Sequence, residues 1–246
     1  MPDNIAALAE ALIAAHDGGP LVGPVPDNLV PADLEAVYGL QDAIIARTGP
    51  VGGWKVAAGS EGEPLCAPIP KARFIENNGT VKRQRHRLFL AELEVAVMLG
   101  ADLAADADTV AAEHAIGSLH PALELIGNPF TDRDATPRNV QLGDLQSNGL
   151  VIVGPAVGDT IHERLGTLET ALWHDGSEAK TQRGGADWAA ILNAIAWLAG
   201  HAARRGLPLK AGQVIITGAR PVAPLDEARQ VEGRFAGYGQ VGVTLT

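Results

Sequence analysis

The chain has 246 residues, of which 46% are hydrophobic and 20% are charged, and its formal net charge is −10. This composition is that of a globular protein with one large domain or a domain plus an appendage. An acidic chain without a basic block is a poor candidate for nucleic acid or an anionic membrane surface, so neither is expected as a partner.

The single cysteine predicts a reducing compartment, and the apolar runs bear on membrane insertion. Cys66 is the single cysteine, so the chain can form no internal disulfide and no zinc cluster built from cysteines. The N-terminal segment contains acids and lacks the basic stretch of a secretory signal. No apolar run approaches the length of a membrane span. We therefore expect a cytoplasmic protein.

The first part of the chain has the pattern of a small helical cap. Residues 4–16 place apolar side chains at helical spacing, and a second helix is predicted to begin near Asp33 and to end at Gly49. Beyond them, short apolar runs broken by Gly and Pro indicate a β-rich body. We expect an N-terminal cap at residues 1–50 and one main domain at residues 51–246.

Lys55 has an unusual position in the run "VGGWKVAAG". If this run is a strand, Trp54 and Val56 share one face and Lys55 lies on the other, where Gly53 and Ala57 leave room around it. The lysine is then either an exposed strand residue or an ammonium group that balances carboxylates or binds a substrate carboxylate. The local pattern leaves both readings open.

The run "LAELEVAVMLG", residues 90–100, predicts a buried strand that carries two acids, Glu92 and Glu94. Both acids share one strand face, because alternate side chains point the same way. Two partly buried like charges repel each other and lose hydration, and a divalent ion with oxygen ligands would relieve both costs. The alternative is an edge strand whose acids face water or pair with Arg83 or Arg85. The opposite face is wholly apolar: Phe89, Ala91, Leu93, Val95, Val97 and Leu99.

A third acid, Glu124, lies on an apolar strand face in "HPALELIG", residues 120–127. Three carboxylates on one divalent ion leave positions open for water and substrate, which is a catalytic arrangement. His120 could add a ligand, but a histidine before proline favours a turn or the surface. A short helix is predicted just before this strand, at residues 109–118.

The C-terminal half offers two weaker candidates and one long helix. Ser147 precedes a strand and fits turn chemistry, and the chain lacks the G-x-S-x-G elbow of serine hydrolases. In "ITG", residues 216–218, the Thr217 hydroxyl and nearby backbone N–H groups could clamp a carboxylate, although any hairpin would look the same. Asp187 is predicted to cap a helix that ends near Arg205.

The run "GYGQVG", residues 237–242, matches the G-x-G-x-x-G dinucleotide pattern letter for letter. That fingerprint needs a strand before it, a helix after it and an acid further on. Only four strand-like residues follow here. We therefore interpret these glycines as part of a β-turn.

The order of these motifs resembles the 2-keto-4-pentenoate hydratase family of the fumarylacetoacetate hydrolase superfamily. The resemblance covers nearly the whole chain, and its strongest parts are the E-x-E strand, the "PALE" strand and residues 191–218. It implies an α+β fold: a β-rich, fumarylacetoacetate-hydrolase-like rolled mixed sheet with flanking helices, in which residues 51–246 form the catalytic domain.

The resemblance also implies a function and a site. The function is a metal-dependent hydratase that adds water to a 2-hydroxy-2,4-dienoate in aromatic-compound degradation, as a homo-oligomer. Glu92, Glu94 and Glu124 would bind Mg²⁺ or Mn²⁺. Catalytic roles fall to Lys55 and Ser147, and substrate contacts are implied for three residues of one segment: Thr217, Gly218 and Arg220.

Three departures from the family pattern leave the substrate open. Leu65 stands where relatives carry an aspartate, Leu145 replaces an asparagine, and "RPVAP" brings in the positive charge of Arg220. Arg220 is expected either to bind a distal group of the substrate or to pair with Asp226 or Glu227, because a buried guanidinium needs an anionic partner.

Three alternatives for function follow from these patterns. A second carboxylate held by Arg220 would suit a 4-oxalocrotonate-type decarboxylase. Cleavage of acylpyruvates needs a His-Glu pair, and none stands out near Lys55. A non-catalytic partner subunit is the third alternative, and intact metal ligands argue against it. For partners, the resemblance implies a complex with a related decarboxylase or hydratase as an alternative to the homo-oligomer.

Overall fold

The computed structural model describes residues 3–246, with the side chains of residues 3, 4 and 159 excepted. Met1 and Pro2, which belong to the predicted cap, lie outside the described residues. Within this range the chain forms five α-helices, given in chain order: α1, Asp3–His16; α2, Leu34–Thr48; α3, Thr109–Ala115; α4, Arg138–Gly143; and α5, Trp188–Arg204.

The described residues also form twelve β-strands. They are, in chain order: β1, Val51–Val56; β2, Cys66–Pro70; β3, Phe74–Ile75; β4, Thr80–Val81; β5, Leu88–Leu99; β6, Ile116–Gly127; β7, Asn148–Val153; β8, Glu169–His174; β9, Ser177–Arg183; β10, Val214–Pro224; β11, Gln230–Phe235; and β12, Gly239–Leu245.

The strands form two mixed sheets that pack against each other. The larger sheet has the order β2-β1-β10-β5-β6-β7-β3, and the smaller has the order β4-β12-β11-β8-β9. Gly233 of β11 shows how closely they approach, because a Cβ atom there would lie only 2.4 Å from a methyl group of Leu93. The face of β5 from Ala91 to Leu99 therefore packs in the core, as the alternation of its residues predicts. The prediction is wrong for Phe89, because a register shift between Leu88 and Leu90 interrupts the alternation and Leu88 is the core residue there.

Helix ends follow the capping rules. Asp33, Asp108 and Asp187 each accept a hydrogen bond from the backbone N–H three residues further on, at the first turn of α2, α3 and α5. Gly206, just beyond α5, has a φ of +74°, which is the left-handed conformation that ends helices. The predicted bounds of α2 and α5 are confirmed.

The two N-terminal helices share an apolar cluster with the body of the protein. Leu12 and Ile44 pack there with Phe130 and Leu145, which lie far along the chain. The helices therefore support a segment of the body. The division of the chain at residue 50 stays a prediction.

Two local predictions are wrong. Residues 116–118 belong to β6 rather than to α3, because the β-ladder with β5 reaches Ile116. His120 is a buried strand residue, 7% exposed, and its ring nitrogens contact the Gly154 carbonyl and the Ser118 hydroxyl. Tertiary pairing thus overrides the turn tendency of a residue before proline. Among the described residues, helices of a length and apolarity that could span a membrane are absent.

The "GYGQVG" prediction is confirmed for Gly237, whereas Gly239 and Gly242 belong to β12. A turn joins β11 and β12, which pair antiparallel, with Gln230 opposite Thr244 and Phe235 opposite Gly239. Gly237 in that turn has a φ of +80°, a conformation that glycine adopts without strain.

Candidate metal centre

Three carboxylates meet on one face of the larger sheet. Antiparallel pairing of β5 and β6 sets Glu92 directly opposite Glu124 and Glu94 opposite Ala122. Each of the three acids has a carboxylate oxygen that lies within 4.8 Å of such an oxygen on the other two. The convergence predicted from strand alternation is confirmed.

Burial makes this cluster costly without a cation. Glu94 is 1% exposed and Glu124 is fully buried. Burial, and then the neighbouring negative charge of Glu124, raise the pKa of Glu92 to about 7. The same two causes raise the pKa of Glu94 well above its ordinary value. Buried carboxylates in this state are stabilised by any positive charge that reaches them.

Lys55 supplies one positive charge. Its Nζ lies 2.7 Å from both carboxylate oxygens of Glu124 and 3.4 Å from the carbonyl oxygen of Gln146. Burial by itself lowers the pKa of Lys55, but the three carboxylates outweigh burial, and the net effect raises its pKa. Lys55 is therefore an ammonium group within the cluster, and the alternative of an exposed strand lysine is wrong.

The donor set fits a divalent cation. Three carboxylates and one ammonium leave an excess of negative charge when all are ionised, and all donors of the cluster are hard oxygen atoms. Such ligands suit Mg²⁺, Mn²⁺ or Ca²⁺. Because only side-chain oxygens from two adjacent strands are involved, part of the coordination shell remains for other ligands.

Asn148 is a site residue that the sequence analysis missed. Its Nδ2 donates to Oε1 of Glu124 at 2.7 Å, and the side chain is fully buried. Asn148 is the first residue of β7, which lies beside β6 in the sheet. The one signal in the sequence was an amide at the start of an otherwise apolar strand.

A left-handed turn precedes Asn148. Leu145, Gln146 and Ser147 have φ values of 48°, 55° and 59°, a conformation that L-residues adopt at a cost of about 1–2 kcal/mol each. The turn aims the Gln146 carbonyl at Lys55 and the Asn148 amide at Glu124. We call residues 145–148 the site turn.

Side chains from distant segments hold the site turn. His16, at the end of α1, contacts both carboxylate oxygens of Asp144 at 2.9 and 3.0 Å, and Asp144 is fully buried just before the turn. Leu145 packs among the N-terminal helices. The guanidinium of Arg73 donates to the backbone carbonyl and the side-chain oxygen of Asn148. These contacts stabilise a backbone that the local sequence would not choose.

We predict that Gln146→Gly stabilises the protein and that Gln146→Val destabilises it. Glycine removes the left-handed strain of about 1–2 kcal/mol, less roughly 0.5–1 kcal/mol of extra chain entropy in the unfolded state. A β-branched residue is strained further at positive φ. Urea unfolding of both variants measures the effect. The control is Gln182→Gly in β9, which lacks positive φ and should lose stability; equal losses at positions 146 and 182 would contradict the prediction.

The structure locates the other predicted site residues around this cluster. Ser147 is buried, and its Oγ accepts a hydrogen bond from Arg133 at 2.8 Å. The Thr217 hydroxyl donates to the backbone carbonyl of Val95, on β5 between the carboxylates and the end of the strand. The Gly218 N–H donates to Oε2 of Glu94 at 2.6 Å. Gly218 thus orients a carboxylate, and the predicted substrate contacts of these residues stay predictions.

Arg220 differs from the sequence prediction. It is 4% exposed, and its guanidinium donates to three backbone carbonyl oxygens, those of Leu165, Gly184 and Ala186. The expected pairing with Asp226 or Glu227 is therefore wrong. Burial lowers the pKa of Arg220 to about 10. Arg220 lies on β10, and two of the three carbonyl groups that accept its hydrogen bonds belong to the segment just before α5. These carbonyl groups take the place of an anionic partner.

The two packed mixed sheets have the fold of fumarylacetoacetate-hydrolase-like proteins. The fold is shared with 4-oxalocrotonate decarboxylase from Pseudomonas putida G7, solved with magnesium and adipate, at a TM-score of 0.83 and 22% identity, covering 100% of this chain and 98% of that one. The predicted α+β fold with a rolled mixed sheet is confirmed.

In sequence the chain is similar to 2-keto-4-pentenoate hydratases, as its motifs predict. It is 28% identical to the TodF product hydratase of Pseudomonas putida F1 over 95% of this chain and 92% of that protein. It is 31% identical to the 2-keto-4-pentenoate hydratase of Burkholderia vietnamiensis G4 over 63% of this chain and 60% of that protein. No family model matches the chain.

Proposed function

We propose that this protein is a hydratase that adds water to a 2-hydroxy-2,4-dienoate and gives a 4-hydroxy-2-oxo acid. One observation carries the proposal. Three converging carboxylates and the Lys55 ammonium form one buried cluster on a sheet face. Similarity to named hydratases along 95% of the chain supports the choice of reaction.

The residues of the cluster have separate tasks in this reaction. Glu92, Glu94 and Glu124 hold a divalent cation, Mg²⁺ or Mn²⁺, which supplies Lewis-acid stabilisation of charge on the substrate's 2-oxygen. Asn148 and the Gly218 N–H orient two of these carboxylates.

Lys55 stabilises negative charge on the 2-oxygen of the substrate. Its pKa is raised, so it stays protonated and can neutralise the oxygen when the enol loses its proton. Ketonisation moves that proton to C5, and water then adds its hydroxyl at C4 and a proton at C3. The Ser147 hydroxyl, within the site turn, accepts a hydrogen bond from Arg133 and would relay a proton.

A 4-oxalocrotonate-type decarboxylase is the second candidate, because the structural neighbour with a TM-score of 0.83 carries that name. Decarboxylation would use the same charge stabilisation at the 2-oxygen. Release of CO₂ from a dicarboxylic 2-oxo acid distinguishes it from hydration. The third candidate, acylpyruvate cleavage, and a role as a non-catalytic partner subunit have no further support in the cluster.

The setting of the protein is also part of the proposal. We place it in aromatic-compound degradation in the cytoplasm, as a homo-oligomer, with a complex with a related decarboxylase or hydratase as an alternative. Cys66 is a free, buried thiol, and burial raises its pKa to about 12. A free thiol is consistent with a reducing compartment.

We predict that the protein consumes 2-hydroxypenta-2,4-dienoate only with a divalent metal. Treatment with EDTA should abolish activity, and Mg²⁺ or Mn²⁺ should restore it. Oxalate, which imitates the carboxylate and 2-oxygen of the substrate, should inhibit competitively. Loss of the dienol absorbance measures the rate, and NMR identifies the product. Unchanged activity in EDTA, or no consumption with any metal, would refute the proposal.

A further inference from the structure

Arg133 is a cation beside the site turn with unused hydrogen-bonding capacity. Its guanidinium donates to Ser147 Oγ and has its carbon 5.3 Å from the centroid of the Phe89 ring. A guanidinium has five N–H donors, and one is used here among the contacts of the described residues. No ion pair of residues 3–246 includes Arg133.

The other cations that contact the site turn are already engaged. Lys55 binds Glu124, and Arg73 binds the backbone and side chain of Asn148. Asp144 is the carboxylate whose charge acts most strongly on Arg133, and its side chain contacts His16. Arg133 is therefore half-buried without an ion pair among the described residues. The charges of Asp144 and Asp134 act on it, but burial outweighs them and lowers its pKa.

The backbone around Arg133 is well ordered by hydrogen bonds. Its carbonyl oxygen accepts from the side chain of Gln141 at 2.9 Å, and Asp132 caps the same turn by accepting from the Ala135 N–H. An arginine that is held in place before a ligand arrives loses less entropy on binding. This arrangement is typical of a recognition residue rather than a solvated surface side chain.

Arg133 is connected to the carboxylate cluster through the site turn. Phe89, whose ring it covers, lies at the register shift of β5 between Leu88 and Leu90. Ser147, its hydrogen-bond partner, lies between the two site-turn residues that contact Lys55 and Glu124. Arg133 therefore contacts the site turn between the two residues that border the carboxylate cluster.

We propose that Arg133 binds a second carboxylate at the distal end of the substrate, so that the site accepts dicarboxylic 2-hydroxydienoates. This inference rests on the proposed function and names its substrate class. It assigns to Arg133 the role that the sequence suggested for Arg220, whose guanidinium is occupied by carbonyl oxygens. Guanidinium and carboxylate form a bidentate, charge-assisted pair, which a monocarboxylic chain cannot provide.

The test compares adipate with hexanoate, two inert chains of equal length that differ by one carboxylate. Calorimetry with the Mg²⁺-loaded protein should show that the wild type binds adipate about 10- to 100-fold more tightly. Arg133→Gln should remove this preference, and Arg133→Lys should keep part of it, because the charge remains without the planar fork. Arg138→Gln, an exposed arginine of the same segment, is the matched control and should keep the full preference.

The outcomes separate this inference from the proposed function. Equal binding of both ligands by the wild type, or an unchanged preference in Arg133→Gln, would overturn the role of Arg133. Circular dichroism first establishes that each variant is folded. A preference that depends on Arg133 in a protein that does not hydrate dienoates would support the inference and refute the hydratase proposal. Hydration without the preference would do the reverse.

Discussion

Replacement of Lys55 by methionine should lower the free energy of unfolding of the metal-free protein by about 3–5 kcal/mol. Lys55 is the ammonium that binds both oxygens of the fully buried Glu124. Without it, three carboxylates remain together in the sheet with no compensating cation. Methionine matches the length of the side chain, so that the lost charge rather than a cavity dominates the effect.

A double-mutant cycle with Glu124→Gln measures this interaction. Urea unfolding in EDTA gives the four stabilities, and Lys55→Met/Glu124→Gln should be more stable than the sum of the two single losses predicts. Mg²⁺ should restore part of the stability of Lys55→Met, because a divalent cation takes over the neutralisation of charge. Additive losses would show that Lys55 and Glu124 act independently, contrary to the geometry.

Replacement of Glu94 by glutamine should reduce activity at least ~10²-fold and leave the fold intact. Glutamine keeps an oxygen that can accept from the Gly218 N–H but removes one negative charge of the proposed metal site. Because burial and the charge of Glu124 raise the pKa of Glu94, this carboxylate is under electrostatic strain in the metal-free state. The melting temperature in EDTA should therefore stay the same or rise.

Thermal unfolding with and without Mg²⁺ tests this prediction. The wild type should gain stability with Mg²⁺, as any ligand that binds only the folded state ensures, and Glu94→Gln should gain much less. Glu178→Gln, an exposed carboxylate on β9, is the control and should respond to Mg²⁺ as the wild type does. A large fall in the melting temperature of Glu94→Gln without metal would indicate a structural role instead.

Strand geometry was sufficient to predict the shared face of Glu92 and Glu94, whereas the pairing of β5 with β6 brought Glu124 to them. Side chains alternate strictly along a strand, so Glu92 and Glu94 had to share a face opposite the apolar row of β5. Capping residues such as Asp187 are equally local, which is why the bounds of α5 agree with the prediction. The same local chemistry predicted the turn at Gly237, although Gly239 and Gly242 belong to β12.

Residues whose roles depend on long-range contacts were not predicted in this way. Asn148 and Asp144 became site residues only when β7 lay beside β6 and His16 reached the loop from another helix. Their partners are 24 and 128 positions away in the chain, and no spacing rule connects them.

The two arginines show the same division. The sequence around Arg133 and Arg220 gives no sign that their surroundings differ. The guanidinium of Arg220 is buried and donates to backbone carbonyl oxygens, whereas that of Arg133 donates to Ser147 and keeps unused N–H donors. The sequence determined which faces of its strands carry charge, because strand geometry is a property of neighbouring residues. Only the tertiary structure decided which cation meets which anion, because the cost of burying a charge depends on every group that surrounds it.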